Sequence, residues 1–228
     1  MFNSEEIKKR VGAYAADYVQ PGMTIGIGTG STVYWLLQEL GNRIQQGLQF
    51  RAVPTSRQTQ TLATELGITI ADINNIEELA LTIDGADEID GSLQLIKGGG
   101  GALLQEKIVA AASKQLIIIA DETKMVSQLG QFPLPVEVIP FGWKQVSKKI
   151  QQLGCREVVL RQKNGETFIS DHGHYILDCH FSAIPHASTV NQQLHDIPGV
   201  VETGLFINMA DMAICGYADG RIITSLPA

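Results

Sequence analysis

Short apolar runs, each followed by a glycine-bearing or polar turn and then by helically spaced apolar residues, order the first 120 residues of the chain. The run at 23–27 enters Gly26-Ile27-Gly28-Thr29-Gly30-Ser31-Thr32, and 33–40 continues with helical spacing. The run at 48–53 ends in a polar loop over 54–59 that opens a helix at 58–66, and 68–71 reads as the next strand. Residues 79–83, 93–97 and 115–120 are further strands, while 102–114 is helical by composition and period. Ahead of them, 4–19 predicts an amphipathic helix capped by Ser4, with Glu5 and Glu6 in its first turn and Pro21-Gly22 as its stop. Wholly apolar strands alternating with helices belong in a parallel sheet covered on both faces.

The pattern changes near Phe132-Pro133-Leu134-Pro135. Beyond it come a strand (136–139), a helix (143–153), a strand (157–162), a hairpin turn at Asn164-Gly165, strands at 168–170 and 175–179, a helix near 188–195 and a strand over 200–206. That order predicts a small α+β domain of split-βαβ type inserted after the main sheet. Residues 212–216 and 221–225, joined by Ala218-Asp219-Gly220, predict a hairpin that returns to the first domain. The expected organisation is an α/β domain over 1–131 and 207–228, and a smaller α+β domain over 132–206.

Two loops carry candidate chemistry. The loop at 28–32 lacks the third glycine of a dinucleotide fingerprint, having Ser31 there, and lacks the lysine of a Walker loop. It remains a strand–loop–helix turn with hydroxyls at Thr29, Ser31 and Thr32, suited to a small phosphate or, more plainly, to capping a helix. The second stretch, 79–114, sets Asp84 at a strand's carboxyl end, where ligands bind in open α/β sheets. Asp87, Lys97, four consecutive glycines (Gly98, Gly99, Gly100, Gly101) and Glu106 in the first turns of a helix follow. Four glycines weaken a chain unless backbone must approach a ligand. A carboxylate base, a cation and clustered amides are what removal of a proton beside a carbonyl requires. Lys124 sits just past another strand end.

The formal charge of −7 and the absence of a basic, aromatic-studded patch argue against a nucleic-acid partner. An anionic substrate must therefore be met by local cations and amides. No apolar run reaches membrane-spanning length, and the N-terminus MFNSEEIKKR has no apolar core after its charges, so neither a membrane nor a signal peptide is expected. Cys155, Cys179 and Cys215 are widely spaced without a CxxC pair, as for reduced thiols in the cytoplasm. Strand alternation splits Cys179 from His174 and His180, which disfavours a metal site near His172. His186 and His195 read as surface helix residues.

Taken in order, these motifs resemble ribose-5-phosphate isomerase of type A: Gly28-Thr29-Gly30-Ser31-Thr32, Ile83-Asp84-Gly85-Ala86-Asp87-Glu88, Lys97-Gly98-Gly99-Gly100, Glu106-Lys107, Ala120-Asp121-Glu122-Thr123-Lys124 and 132–137. The likeness continues through 197–201 and 204–206, nearly the whole chain. The resemblance implies a metal-independent, cofactor-free interconversion of ribose 5-phosphate and ribulose 5-phosphate in the pentose phosphate pathway. It implies Glu106 as the base between C1 and C2, and Asp84, Asp87 and Lys97 as the polar groups around the ring oxygen and hydroxyls. Thr29, Gly30, Ser31, Thr32, Gly85, Ala86, Gly98, Gly99, Gly100, Lys124 and Lys8 would bind substrate or its phosphate. The implied fold is a Rossmann-like domain with a small ferredoxin-like one, assembled as a homo-oligomer, with a dimer expected. Gly101 stands where alanine is common in the family and Gln105 where a basic residue is frequent. A non-enzymatic sugar-phosphate sensor, and an enzyme of another phosphosugar or its lactone, share the same loops.

Overall fold

The computed structural model describes residues 1–227. In chain order they form α1 (Ser4–Ala15), β1 (Thr24–Ile27), α2 (Ser31–Gln45), β2 (Arg51–Pro54), α3 (Arg57–Glu65), β3 (Thr69–Ile70), β4 (Thr82–Asp84), β5 (Glu88–Ile89), β6 (Leu95–Ile96), α4 (Leu103–Ala111) and β7 (Leu116–Asp121). There follow β8 (Leu134–Val138), α5 (Trp143–Gln152), β9 (Glu157–Leu160), β10 (Gln162–Lys163), β11 (Glu166–Thr167), β12 (Tyr175–His180), α6 (Ala187–His195), β13 (Val200–Thr203), β14 (Leu205–Phe206), β15 (Met212–Gly216) and β16 (Ile222–Ser225). The chain divides into two units. The first takes Met1–Ala86, Gln105–Met125 and Met209 onward; the second takes Asp87–Leu104 and Val126–Asn208.

A seven-stranded sheet in the order β3-β2-β1-β4-β7-β15-β16 forms the first unit. It is parallel except for β16, which returns from β15 as the predicted hairpin. Every residue of β7 is buried, which is why its sequence is a continuous apolar run rather than an alternation. Ile25, Ile27, Ile83 and Ile117 of the sheet pack with Val11 of α1 and Leu36 of α2 in one core. Strand order runs away in both directions from the β1–β4 pair, held by the partners Gly26–Thr82 and Ile27–Ile83. This is the switch point of a doubly wound sheet, and its crevice lies beyond the carboxyl ends of those two strands.

The helix α1 is capped by Asn3, not by Ser4, which is already helical. The Asn3 side chain accepts from Glu6 N at 2.9 Å, and the Glu6 carboxylate accepts from Asn3 N at 2.8 Å, a reciprocal capping box.

In the second unit a four-stranded antiparallel sheet has the order β13-β8-β12-β9, with α5 and α6 as crossovers. Chain order β-α-β-β-α-β with that sheet order is the ferredoxin-like arrangement. Val136, Val138, Ile150, Leu177 and Leu194 share its core. Asn164 (φ 56°) and Gly165 (φ 82°) make the tight turn between β10 and β11. One run behaves differently from the parallel pattern read for it. The strand β6 pairs antiparallel with β5 and β14, so residues 87–104 group with the second unit. A parallel crossover needs about a dozen residues or more. Here Asp90 instead turns the chain at once, its carboxylate accepting from Ser92 N and Gln94 N at 2.9 Å each.

Candidate active site

In the first unit, candidate residues gather at the switch point. Asp84 ends β4, 1 % exposed, and its Oδ1 accepts from Thr29 N at 3.1 Å and Gly85 N at 2.7 Å. The carboxylate therefore reaches across from β4 to the loop that leaves β1. A β-carbon at Gly28 would stand 1.8 Å from Asp84 Oδ1, so a glycine is required there for the loop to pass the carboxylate. Gly30 (φ 127°) is the N-cap of α2, and no side chain caps that helix. The capping alternative for Ser31 and Thr32 is thus not the one the chain adopts, and the first amides of a 15-residue helix face outward with its positive dipole end.

The Thr29 hydroxyl turns the other way. It lies 3.0 Å from Thr55 Oγ1, 2.8 Å from Ser56 Oγ and 3.0 Å from Thr59 Oγ1, and all three partners are buried. Thr59 Oγ1 in turn donates to Gly28 O at 2.8 Å. Both polar groups of Thr29 therefore hold the loop in place. This hydroxyl cluster escaped the sequence reading; a polar 54–59 loop at a strand's carboxyl end was its one signal.

Glu106 stands in the first turn of α4 and is 4 % exposed. Its neighbour Gln105 donates from Nε2 to Pro54 O at 3.0 Å. Pro54 ends β2, which lies beside β1, so this turn of α4 is tied to the same end of the sheet as Asp84 and the 28–32 loop. Lys8 of α1 sits 4.0 Å from Asp121 at the end of β7 and shares with Ser31 a hollow of about 360 Å³, also lined by Ser4, Glu5, Tyr34 and Trp35. Lys124 follows in a short 3-10 turn whose start is capped by Asp121, accepting from Thr123 N at 3.0 Å.

The second unit holds the remaining candidates. Asp87 Oδ2 accepts from Gly99 N at 2.7 Å. Lys97 is 2 % exposed, with its ammonium 5.4 Å from the centre of the Phe206 ring and its backbone N–H on Gly204 O at 2.8 Å. Gly101 N closes a turn onto Gly98 O at 2.9 Å, while Gly99 and Gly100 are exposed. Asp87, Lys97 and the glycine loop thus form one folded piece. His174 is occupied structurally: its Nδ1 lies 3.0 Å from the buried Glu137, which also accepts from Ser170 Oγ at 2.7 Å.

Residues 51–220 match the family model of ribose 5-phosphate isomerase A (phosphoriboisomerase A). The chain is 59 % identical over 218 residues to ribose-5-phosphate isomerase A of Bacillus cereus, spanning 94 % of this chain and 97 % of that one. Among solved structures, ribose 5-phosphate isomerase from Plasmodium falciparum is similar at TM-score 0.94 and 39 % identity, covering 97 % and 98 % of the two chains. A D-ribose-5-phosphate isomerase in complex with phospho-erythronic acid is similar at TM-score 0.95 and 36 % identity, covering 99 % and 100 %.

Proposed function

The chain belongs to the ribose 5-phosphate isomerase A family, and from that footing we propose how its residues divide the reaction. The protein is an aldose–ketose isomerase of the pentose phosphate pathway that interconverts D-ribose 5-phosphate and D-ribulose 5-phosphate. In the aldose direction the Glu106 carboxylate takes the C2 proton of the open-chain sugar. The C2–H electron pair forms the C1=C2 bond, and the aldehyde oxygen becomes an enediolate oxygen. Glu106 then returns the proton to C1, and the O2 hydroxyl proton passes to O1, leaving the C2 ketone.

The buried Lys97 and the amides of Gly98 and Gly100 stabilise the enediolate oxygen, a role for preorganised donors, while the Gly99 amide is taken by Asp87. Asp87 and Lys97 open the furanose ring, and Asp84 holds a sugar hydroxyl while keeping the Thr29–Thr32 loop in place. The uncapped start of α2, with Gly30, Ser31 and Thr32, receives the phosphate together with Lys8, and Lys124 contacts substrate. Gly85 and Ala86 line the same sugar. The chemistry calls for no metal or cofactor, since a base, a cation and amides suffice. The binding of phospho-erythronic acid by a relative fits this scheme, because the acid's carboxylate carbon stands at the pentose C2 and its two oxygens carry the charge of an enediolate.

The observation that carries the reading is the Gln105–Pro54 bond. It brings the buried Glu106 turn to the end of the sheet where Asp84 and the 28–32 loop lie. The test is ketose formation from ribose 5-phosphate by the pure protein in the presence of EDTA. Glu106→Gln should lower kcat by about 10²- to 10⁴-fold with KM nearly unchanged. A variant with wild-type turnover removes Glu106 from the role, and unchanged binding of ribose 5-phosphate without any isomerisation by the parent protein identifies a sensor instead.

No helix among the described residues is long and apolar enough to cross a membrane. We place the enzyme in the cytoplasm, in keeping with three cysteines that are all free and buried. A homodimer joined through the second unit is supported by its exposed apolar side chains, Phe141 at 90 % and Ile169 at 51 %. Light scattering at micromolar concentration tests the assembly; a monomeric mass rules it out.

A further inference from the structure

We propose that Arg161 is a positioning residue of the isomerisation: its guanidinium sets the direction in which the amides of the Lys97–Gly101 loop point. The inference rests on the assignment of that loop to enediolate stabilisation.

Arg161 lies between β9 and β10, more than 60 residues along the chain from the loop, and its side chain is 12 % exposed. Its Nη1 donates to Gly98 O at 2.7 Å and to Gly99 O at 3.2 Å. Nε donates to Asp178 Oδ2 at 3.0 Å and Nη2 to Asp178 Oδ1, a two-point pairing that fixes the plane of the guanidinium. The Phe168 ring lies 6.0 Å from the guanidinium carbon. The same ring packs on Gly101: a β-carbon there would come within 2.4 Å of Phe168 Cε1 and Cζ, and Gly101 has φ 81°. Glycine at 101 is therefore what lets Phe168 close over the loop.

The consequence follows from peptide planarity. In a trans peptide the carbonyl of one residue and the N–H of the next point in opposite directions. Binding Gly98 O to Arg161 aims the Gly99 N–H away from Arg161, and it is found on Asp87 Oδ2 at 2.7 Å. Binding Gly99 O turns the Gly100 N–H away from Arg161 in the same manner. In a run of four glycines no side chain restricts these planes; the turn that Gly101 N closes onto Gly98 O orders one of them from within, and Arg161 holds both carbonyls from outside. The Arg161 charge is already matched by Asp178, so the residue acts through its planar fork rather than by adding a cation to the site.

The test uses Arg161→Lys, which keeps the charge and loses the fork, alongside Arg161→Ala. Initial rates on ribose 5-phosphate are measured with hydrogen exchange of the peptide covering residues 97–104. For Arg161→Lys, kcat falls by about tenfold or more while KM changes much less, and the loop amides exchange faster with the β8 and α5 peptides unaltered. Methylguanidinium restores part of the lost kcat to Arg161→Ala. A folded Arg161→Lys with wild-type kcat and unchanged loop exchange overturns the proposal. Should Arg161→Ala fail to fold, Phe168→Leu is judged by the same two measurements. A parent protein unable to isomerise ribose 5-phosphate would refute the functional reading alone, because the exchange measurement still reports the hold of Arg161 on the loop.

Discussion

The two glycine loops look alike as sequence and are built on opposite principles. In each, an aspartate accepts one loop amide: Asp84 from Thr29 N at 3.1 Å and Asp87 from Gly99 N at 2.7 Å. In each, a glycine stands where a β-carbon would strike that aspartate, at 1.8 Å from Asp84 Oδ1 for Gly28 and 2.6 Å from Asp87 Oδ1 for Gly99. The carbonyl sides differ. Gly28 O is held by the neutral hydroxyl of Thr59, inside a cluster of buried threonine and serine groups. Gly98 O and Gly99 O are held by a guanidinium paired with Asp178. Because the network on the carbonyl side of the first loop is neutral, it adds no charge against the positive end of α2, as suits the phosphate role proposed for that loop. Behind the second loop a matched ion pair fixes direction, as the oxyanion role proposed for that loop requires.

The largest separation between the loops should come from adding one methyl group to each. Gly28→Ala drives a β-carbon into a carboxylate that is 1 % exposed and bound to two amides, so the loop must shift. Its kcat should fall by roughly 10²-fold, the scale of an ångström-sized misplacement. Gly99 is exposed and Asp87 only half-buried, so Gly99→Ala should cost under about tenfold. Equal losses in the two variants, measured by initial rates on ribose 5-phosphate, would mean that the two loops do not differ in this respect.

A middle-sized effect belongs to the hydroxyl cluster. Thr59→Val leaves Gly28 O and the Thr29 hydroxyl short of a buried partner and should destabilise the fold by about 1–3 kcal/mol in urea unfolding. Because the network is neutral, that loss should be the same in low and high salt; a strong salt dependence would mean that charge, not hydroxyl packing, holds the first loop.

The smallest effect sets a baseline away from both loops. Burial pushes the Cys215 thiol on β15 up to about 11 from its ordinary 9.0. An acid whose folded pKa is raised contributes stability below its unfolded pKa and loses it as pH climbs towards the folded one. Stability should therefore decline slightly between about pH 9 and 11, and Cys215→Ala should remove that share of the slope in urea midpoints measured at pH 8 and 10.5. An unchanged slope would exclude Cys215 as its source.

Where the candidate residues sit in the fold was largely legible from residue order because the relevant physics is local. Strand burial on both faces writes a run such as 115–120, a ligand-side strand end is marked by Asp84, and a helix start by Glu106 after its glycines. Asn164-Gly165 announces its own turn for the same reason. The capping of α1 slipped by one residue because Asn3 and Ser4 are both good caps, and only backbone conformation chooses between them.

Local patterning, then, was enough to establish the doubly wound sheet, the split-βαβ insertion, the two anion-suited loops and, through the order of its motifs, the family. Folding in three dimensions decided matters that depend on partners distant along the chain: that 87–104 joins β14 rather than the parallel sheet, that Thr29 turns its hydroxyl to Thr55, Ser56 and Thr59, and that Arg161 grips Gly98 and Gly99. An arginine at the joint between two strands carries no mark of its partner. Hydrogen bonds between residues some 60 positions apart are set by which strands lie side by side, and no periodicity or turn signal within either segment encodes that.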